Sequence, residues 1–342
     1  MTTVHFLTKG FVAPNVRAFL FPLIIYRQAL RDQGIVWRAF GDPAPGLFDC
    51  DVLVVESNVH GKRWTVDTAG ILRELETYGA IVDRLFYLDA SDSSALLQPE
   101  VLPLVERYFK GQLLAERWRY GEAQYGRRLF TDFVHRNFGV EDDQPERATP
   151  VTRANQLAKL GVWWNSSLAD WSPAGRYRMG LYARLPFAPF LAFPRRYTDP
   201  RAPRAIDVSC RMGVEYARET VAWHRKTARR ELARWAPADR VSHRAYVQEL
   251  RSSKVVVSPF GWGEINYRDY ETFLAGAALT KPDMSHLETW PDLYAANETY
   301  AAYSWDAEDL VPVIEEALQR LGQRHDPRGP RGVKHVQVEL DP

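Results

Sequence analysis

Cysteine is scarce in this chain: Cys50 and Cys210 are the only two in 342 residues, and they lie far apart. That excludes a disulfide framework and any zinc-type cysteine spacing, and a reducing compartment is the simplest reading. No sign of charge dominates either. The net charge is +1, so no global field draws the chain to nucleic acid or to a membrane. Two basic stretches, Arg225 to Arg244 and Arg324 to Lys334, read as a solvated helix face and a loose tail. No run approaches the roughly 18 apolar residues of a membrane span. The apolar segment from Gly180 to Phe193 is interrupted by Arg184 and two prolines. The N-terminus runs straight into a strand pattern, without the basic and apolar regions of a signal peptide. Together these absences point to a cytoplasmic protein with no nucleic-acid partner, and leave peripheral membrane contact open. No internal repeat of 20 to 50 residues is present. No G-x-G-x-x-G turn follows the opening strands, which leaves a dinucleotide-dependent oxidoreductase without support.

What is present is a soluble, core-forming composition: 46% hydrophobic and 25% charged residues, in a chain long enough for two units. Two βα series are legible. In the first, strands are predicted over Val4 to Thr8, Ile35 to Phe40, Cys50 to Ser57 and Ile81 to Asp89. Helices are predicted over Val16 to Gly34, kinked or restarted at Pro22, and around residues 69–80. The second series starts at Ala205 to Gly213. It continues through a long basic helix, a short helix at Ser242 to Ser253, and a strand "KVVVSPF". A helix bearing Glu271, a strand in "AALTKPD", the strand Tyr300 to Trp305 and a helix from Asp306 to Gly322 follow, with Asp306 as N-cap. Strands alternating with helices imply parallel sheets. The region from about 98 to 204 is aromatic-rich and irregular, and Phe193 to Arg204 reads as the connection between units. The expected division is residues 1–200, residues 205–322, and a tail over 323–342 in which "VKHVQVEL" could pair as an edge strand.

The stretch "SPFGWGEINYRDYETFLAGAALTKPD" concentrates the chemistry. A strand passes through a Pro/Gly loop into a helix pattern. Read as helix from Glu264 onward, it places Glu264, Arg268 and Glu271 on one face, at spacings of four and three. Gly261 and Gly263 would let the backbone approach a ligand and leave N–H groups outward. A helix start of this kind favours phosphate, an arginine can fork onto phosphate oxygens, and a carboxylate can accept both hydroxyls of a ribose. An exposed Glu–Arg–Glu helix face is the plainer alternative.

This stretch resembles the donor-binding region of GT-B glycosyltransferases, in particular the family-1-like enzymes related to spore maturation protein CgeB and the exostosin-like group. Glu264, Arg268, Glu271, Gly276 and Lys281 fall in matching places, and the resemblance covers about Ala205 to Leu321. Six residues separate the two glutamates where the retaining GT-B pattern has seven, so the stereochemical outcome is not assigned. The resemblance implies an α/β GT-B fold, with two Rossmann-like units facing across a cleft. It also implies a nucleotide-sugar donor held by the C-terminal unit, with no other cofactor and no metal. Glu271 would bind the ribose. Arg211, Arg268 and the Gly261–Gly263 loop would hold the diphosphate, and Glu264 would lie near the sugar or the diphosphate.

The acceptor, a carbohydrate or other hydroxyl compound, would then meet the N-terminal unit. The strand-end loops there are Thr8 to Asn15, Glu56 to Trp64 and Tyr87 to Ser94. A general base is needed in an inverting enzyme. Asp89, Asp92 and His60 are the candidates, each with an ordinary structural alternative such as a turn or cap. Trp163, Trp164, Trp171, Tyr177 and Tyr182 could stack on sugars but are read as core. A nucleotide-sugar epimerase of the same fold and a non-catalytic nucleotide- or glycan-binding subunit are the alternatives.

Overall fold

The computed structural model describes residues 1–10, 14–165, 169–171, 175–184, 197–237 and 239–324. The expected edge strand in the tail, and the side chain of Tyr182, lie outside the described residues. The first half contains β1 (Thr2–Leu7), α1 (Pro14–Ile25), α2 (Arg27–Asp32), β2 (Ile35–Phe40), β3 (Val52–Glu56), α3 (Arg63–Val66), α4 (Thr68–Ile81) and β4 (Arg84–Asp89). It continues with β5 (Arg107–Lys110), β6 (Gln112–Leu114), α5 (Leu129–Phe138), β7 (Leu160–Val162) and α6 (Gly175–Arg184). The second half contains β8 (Ile206–Ser209), α7 (Glu219–Glu231), α8 (His243–Ser252), β9 (Ser253–Val257), α9 (Tyr267–Leu274), β10 (Ala278–Pro282), β11 (Leu287–Thr289), β12 (Ala301–Tyr303) and α10 (Leu310–Arg324).

Six strands form one parallel sheet in the order β2-β1-β3-β4-β5-β7. The order reverses between β1 and β3, and such switch points are where open α/β sheets bind ligands. The period-2 alternation of β3 explains why its whole run is apolar. Leu53 and Val55 pack with Ile71 and Leu75 of α4 on one face, while Val52 and Val54 pack with Val16, Phe19 and Leu20 of α1 on the other. The second sheet, β12-β10-β9-β8, is also parallel. Val255 and Val257 face α7 and α10, while Val256 faces Leu250 of α8 and Ala275.

Three expectations change in detail. Pro22 stays inside α1, and the break falls at Tyr26, between α1 and α2. Asp306 does not cap α10, which starts at Leu310. The Asp309 carboxylate turns back to accept from Ser304 N and Oγ. Arg225, in the stretch read as a solvated face, is buried, donating to the carbonyls of Gly213 and Phe260.

The halves are joined more firmly than a linker requires. The β6 and β11 strands pair antiparallel, so a ribbon from the second half is stitched to the first. Asn165 adds two bonds, N to Trp290 O and Nδ2 to Pro291 O. Phe130 of α5 is fully buried against Val221, Phe260 and Leu279 of the second half. The connection at Arg204 is anchored on the second half, its guanidinium donating to the carbonyls of Arg251, Ser253, Ala275 and Gly276. Residues following β4 touch residues following β9, so the carboxyl ends of the two sheets face one another. Two Rossmann-like parallel sheets in this relation are the α/β arrangement expected of the GT-B fold.

Candidate functional site

The C-terminal part of the site is organised by α9. Its first residue is Tyr267, so Glu264 precedes the helix rather than opening it. Two local features fix that start. Gly261 N donates to Gly263 O at 3.0 Å and closes a tight loop, and Asn266 N donates to the Asp269 carboxylate at 3.1 Å. The shared helical face of Glu264, Arg268 and Glu271 is therefore not formed. Arg268 and Glu271 do share one, three residues apart inside α9.

Arg268 reaches across the carboxyl ends of two strands. Its Nη2 donates to Arg211 O beyond β8, and its Nη1 lies 3.5 Å from Val257 O at the end of β9, while Nε is buried without a partner. Glu271 accepts from Tyr246 Oη at 2.8 Å, and burial raises its pKa against the opposing effects of Tyr246 and Arg268. Tyr246 sits on α8 with Glu249, which takes Arg211 in a fork at 2.7–3.0 Å and accepts from Ser209 Oγ. Arg211 is thus a paired guanidinium. Its charge is largely neutralised by Glu249 before any ligand arrives. Tyr246 and Glu249 lie three apart on one face of α8. That spacing, visible in "SHRAYVQELRSS", is the signal that could have found them.

The second part of the site is the seam between the halves. Glu264 is fully buried. Its Oε1 accepts from Ser94 Oγ of the first half, and its Oε2 has no partner. Burial raises its pKa, while the Arg128 charge and the Ser94 bond oppose that shift. Gly263 lies against Asp92. A Cβ there would stand 2.8 Å from Asp92 O. The glycine is needed for the two halves to meet. Asp92 itself is exposed and accepts from Asn15 Nδ2, and Asn15 Oδ1 in turn accepts from Tyr267 Oη at 3.1 Å. Trp171 packs against Tyr267 and stacks with Tyr270 of α9, and Trp163 and Trp164 pack on the first sheet, as the core reading expects, while Tyr177 is exposed.

The other acceptor-side candidates are buried, Asp89 within a hydrogen-bond network and His60 with both ring nitrogens lacking a hydrogen-bond partner. Asp89 ends β4 and is completely buried. Its Oδ2 accepts from Tyr108 Oη at 2.8 Å and Lys110 Nζ at 3.0 Å, and its Oδ1 from Ser91 N. His60 is buried beside Trp64, 3.7 Å from Glu74, and burial lowers its pKa. One carboxylate escaped sequence reasoning. Glu56 ends β3 at the switch point and accepts from Thr8 Oγ1 and Asn58 N, and burial pushes its pKa up to about 7. Among the described residues, no group of three or more His, Cys, Asp or Glu is arranged to hold a metal ion.

No protein-family model and no curated protein matches the chain. Among solved structures, it is similar to an α-glucosyltransferase in complex with UDP-glucose and DNA containing an abasic site, with a TM-score of 0.40 and 11% identity over 94% of this chain and 91% of that one. A second complex, of an α-glucosyltransferase with UDP and a 13-mer DNA, gives 0.42 and 12% over the same shares. The UDP-GlcNAc 2-epimerase from Methanocaldococcus jannaschii gives 0.35 and 10%, over 92% of each chain. Likeness at this level carries no weight for activity. The fold assignment rests on the strand order and the facing sheet ends.

Proposed function

We propose that this chain is a glycosyltransferase that moves a sugar from a nucleotide-sugar donor to a glycan, a lipid-linked sugar or a small hydroxyl acceptor. One observation carries the reading: Arg268 and Glu271 stand side by side on α9, at the carboxyl ends of β8 and β9, where the two sheets face each other. Glu271, oriented by Tyr246, would accept the ribose hydroxyls. Arg268 would meet the diphosphate and stabilise the charge that grows on it as the glycosidic bond breaks. Glu264, at the seam and with one oxygen unpartnered, would lie near the sugar. The buried surroundings would keep water from competing with the acceptor.

The second reading is an epimerase of the same fold, which needs no acceptor. It is favoured by the burial of Asp89 and His60, which leaves the acceptor's base unassigned. Incubation with a panel of nucleotide sugars separates the cases. Release of nucleoside diphosphate with formation of a new glycoside is the expected result. An isomerised nucleotide sugar would mean epimerisation, and the absence of both products would overturn the enzymatic reading.

A further inference from the structure

The turn that enters α5 brings together arginines other than Arg211 and Arg268. Gly126 and Arg127 both have positive φ, 65° and 62°. A Cβ on Gly126 would stand 2.5 Å from Thr131 Oγ1, so glycine is required there. The turn delivers Arg127 and Arg128 consecutively, and Arg218, just before α7, joins them from the second half. Arg128 Nη1 and Arg218 Nη1 donate to the same carbonyl, Gly126 O, at 2.9 and 2.7 Å.

Two of the three guanidiniums share that carbonyl, and Arg127 and Arg218 each disfavour the charge on Arg128. Four acids lie near them, yet none is bonded to Arg128; Asp142, which favours the charge on Arg218, accepts from Thr220 N and Oγ1. Glu146 bonds Arg218 and lies 3.8 Å from Arg127 Nε. Asp92 is held by Asn15. Glu264 is close enough to act on Arg128 electrostatically, yet its Oε2 and the Arg128 Nε are both without partners. Arg128 is only 6% exposed. A buried guanidinium without a bonded carboxylate is costly in a folded chain unless something else neutralises it. Trp262, 44% exposed, lies beside Arg218 with its ring centroid 5.8 Å from the guanidinium carbon, and so gives the cluster a solvent-facing wall.

We propose that Arg127, Arg128 and Arg218 form a binding site for a phosphate-bearing ligand at the seam of the two sheets, walled by Trp262. Guanidiniums fork onto phosphate oxygens, and a phosphate can take the Arg128 donors that no carboxylate bonds. The ligand's phosphate is either the donor's diphosphate or a phosphate on the acceptor. Both sources rest on the glycosyltransferase reading, whereas the anion chemistry does not.

The test is titration calorimetry with inorganic pyrophosphate at fixed ionic strength, on the wild type and on R127Q, R128Q, R218Q and R128K. Thermal unfolding of each variant shows that it is folded, and the half-exposed Arg127 supplies a variant that spares the core. Tenfold or greater weakening in R127Q, R128Q and R218Q, with smaller weakening in R128K, is expected. No binding to the wild type, or affinities within twofold of it in the folded variants, would overturn the site. Repeating the titration in saturating nucleoside diphosphate assigns the source. Displaced pyrophosphate means the donor's diphosphate, and undisturbed pyrophosphate means a phosphorylated acceptor. Nucleotide binding by a protein whose pyrophosphate binding does not depend on the three arginines would leave the donor reading standing and this site refuted. Pyrophosphate binding without any nucleotide binding would do the reverse.

Discussion

Glu264 and Ser94 lie 170 residues apart in the chain, and the serine hydroxyl donates to the glutamate's Oε1 inside the closed seam. One residue earlier, Gly263 rests on the backbone of Asp92. The loop after β9 and the loop after β4 are thus fitted to each other, and the candidate carboxylate is placed by that fit rather than by a helix.

Gly263→Ala tests the fit. The added methyl would meet a backbone oxygen that cannot rotate away, so the seam must open. Overpacking of this kind costs about 1–3 kcal/mol. A melting temperature lowered by several degrees, with nucleotide binding weakened, is expected. A wild-type midpoint would show that the glycine serves something other than the contact.

Asp89 predicts a stability effect. It and Lys110 form a fully buried ion pair. Removing one member of such a pair costs about 3–5 kcal/mol, because the other charge is left alone in the interior. Lys110→Met and Asp89→Asn should each destabilise by that order in denaturant unfolding, and the double variant should lose less than their sum. An Asp89→Asn protein of wild-type stability with abolished turnover would instead make Asp89 the base.

Glu56 predicts a pH dependence. Its pKa is about 7 in the folded chain against an ordinary 4.5, so the folded state holds a proton that the unfolded state releases between those values. Stability contributed by this residue therefore falls as pH rises through that window and stays low above it. Glu56→Gln removes the effect. The variant's melting temperature should gain on the wild type between pH 5 and pH 8, and parallel curves would contradict the assignment.

Much of the architecture was legible because both faces of each sheet are covered. The continuous apolar runs at β3 and β9, and the helical periods between them, carry their own signal. Strands β5 and β7 were not legible. They are four and three residues long, and β5 ends in Lys110, a charge that Asp89 and Ser91 make tolerable in the interior. The β6–β11 ribbon has no local signal at all, since each strand is defined by a partner far along the chain. At the site, the three-residue spacing of Arg268 and Glu271 was readable. The displacement of Glu264 was not, because the Gly261–Gly263 loop and the Asn266–Asp269 bond override helix periodicity there. Ser94, Arg128 and Tyr246 entered through long-range contacts.

Thermal unfolding with UDP, GDP, CMP, TDP and ADP and their sugars tests the donor site most directly. A ligand that binds the native state at a hundred times its Kd stabilises it by about 2.7 kcal/mol. The account predicts that one nucleotide raises the midpoint, that Glu271→Ala abolishes the shift, and that Tyr246→Phe reduces it. A panel in which no nucleotide moves the midpoint, or a shift that survives in Glu271→Ala, would contradict it.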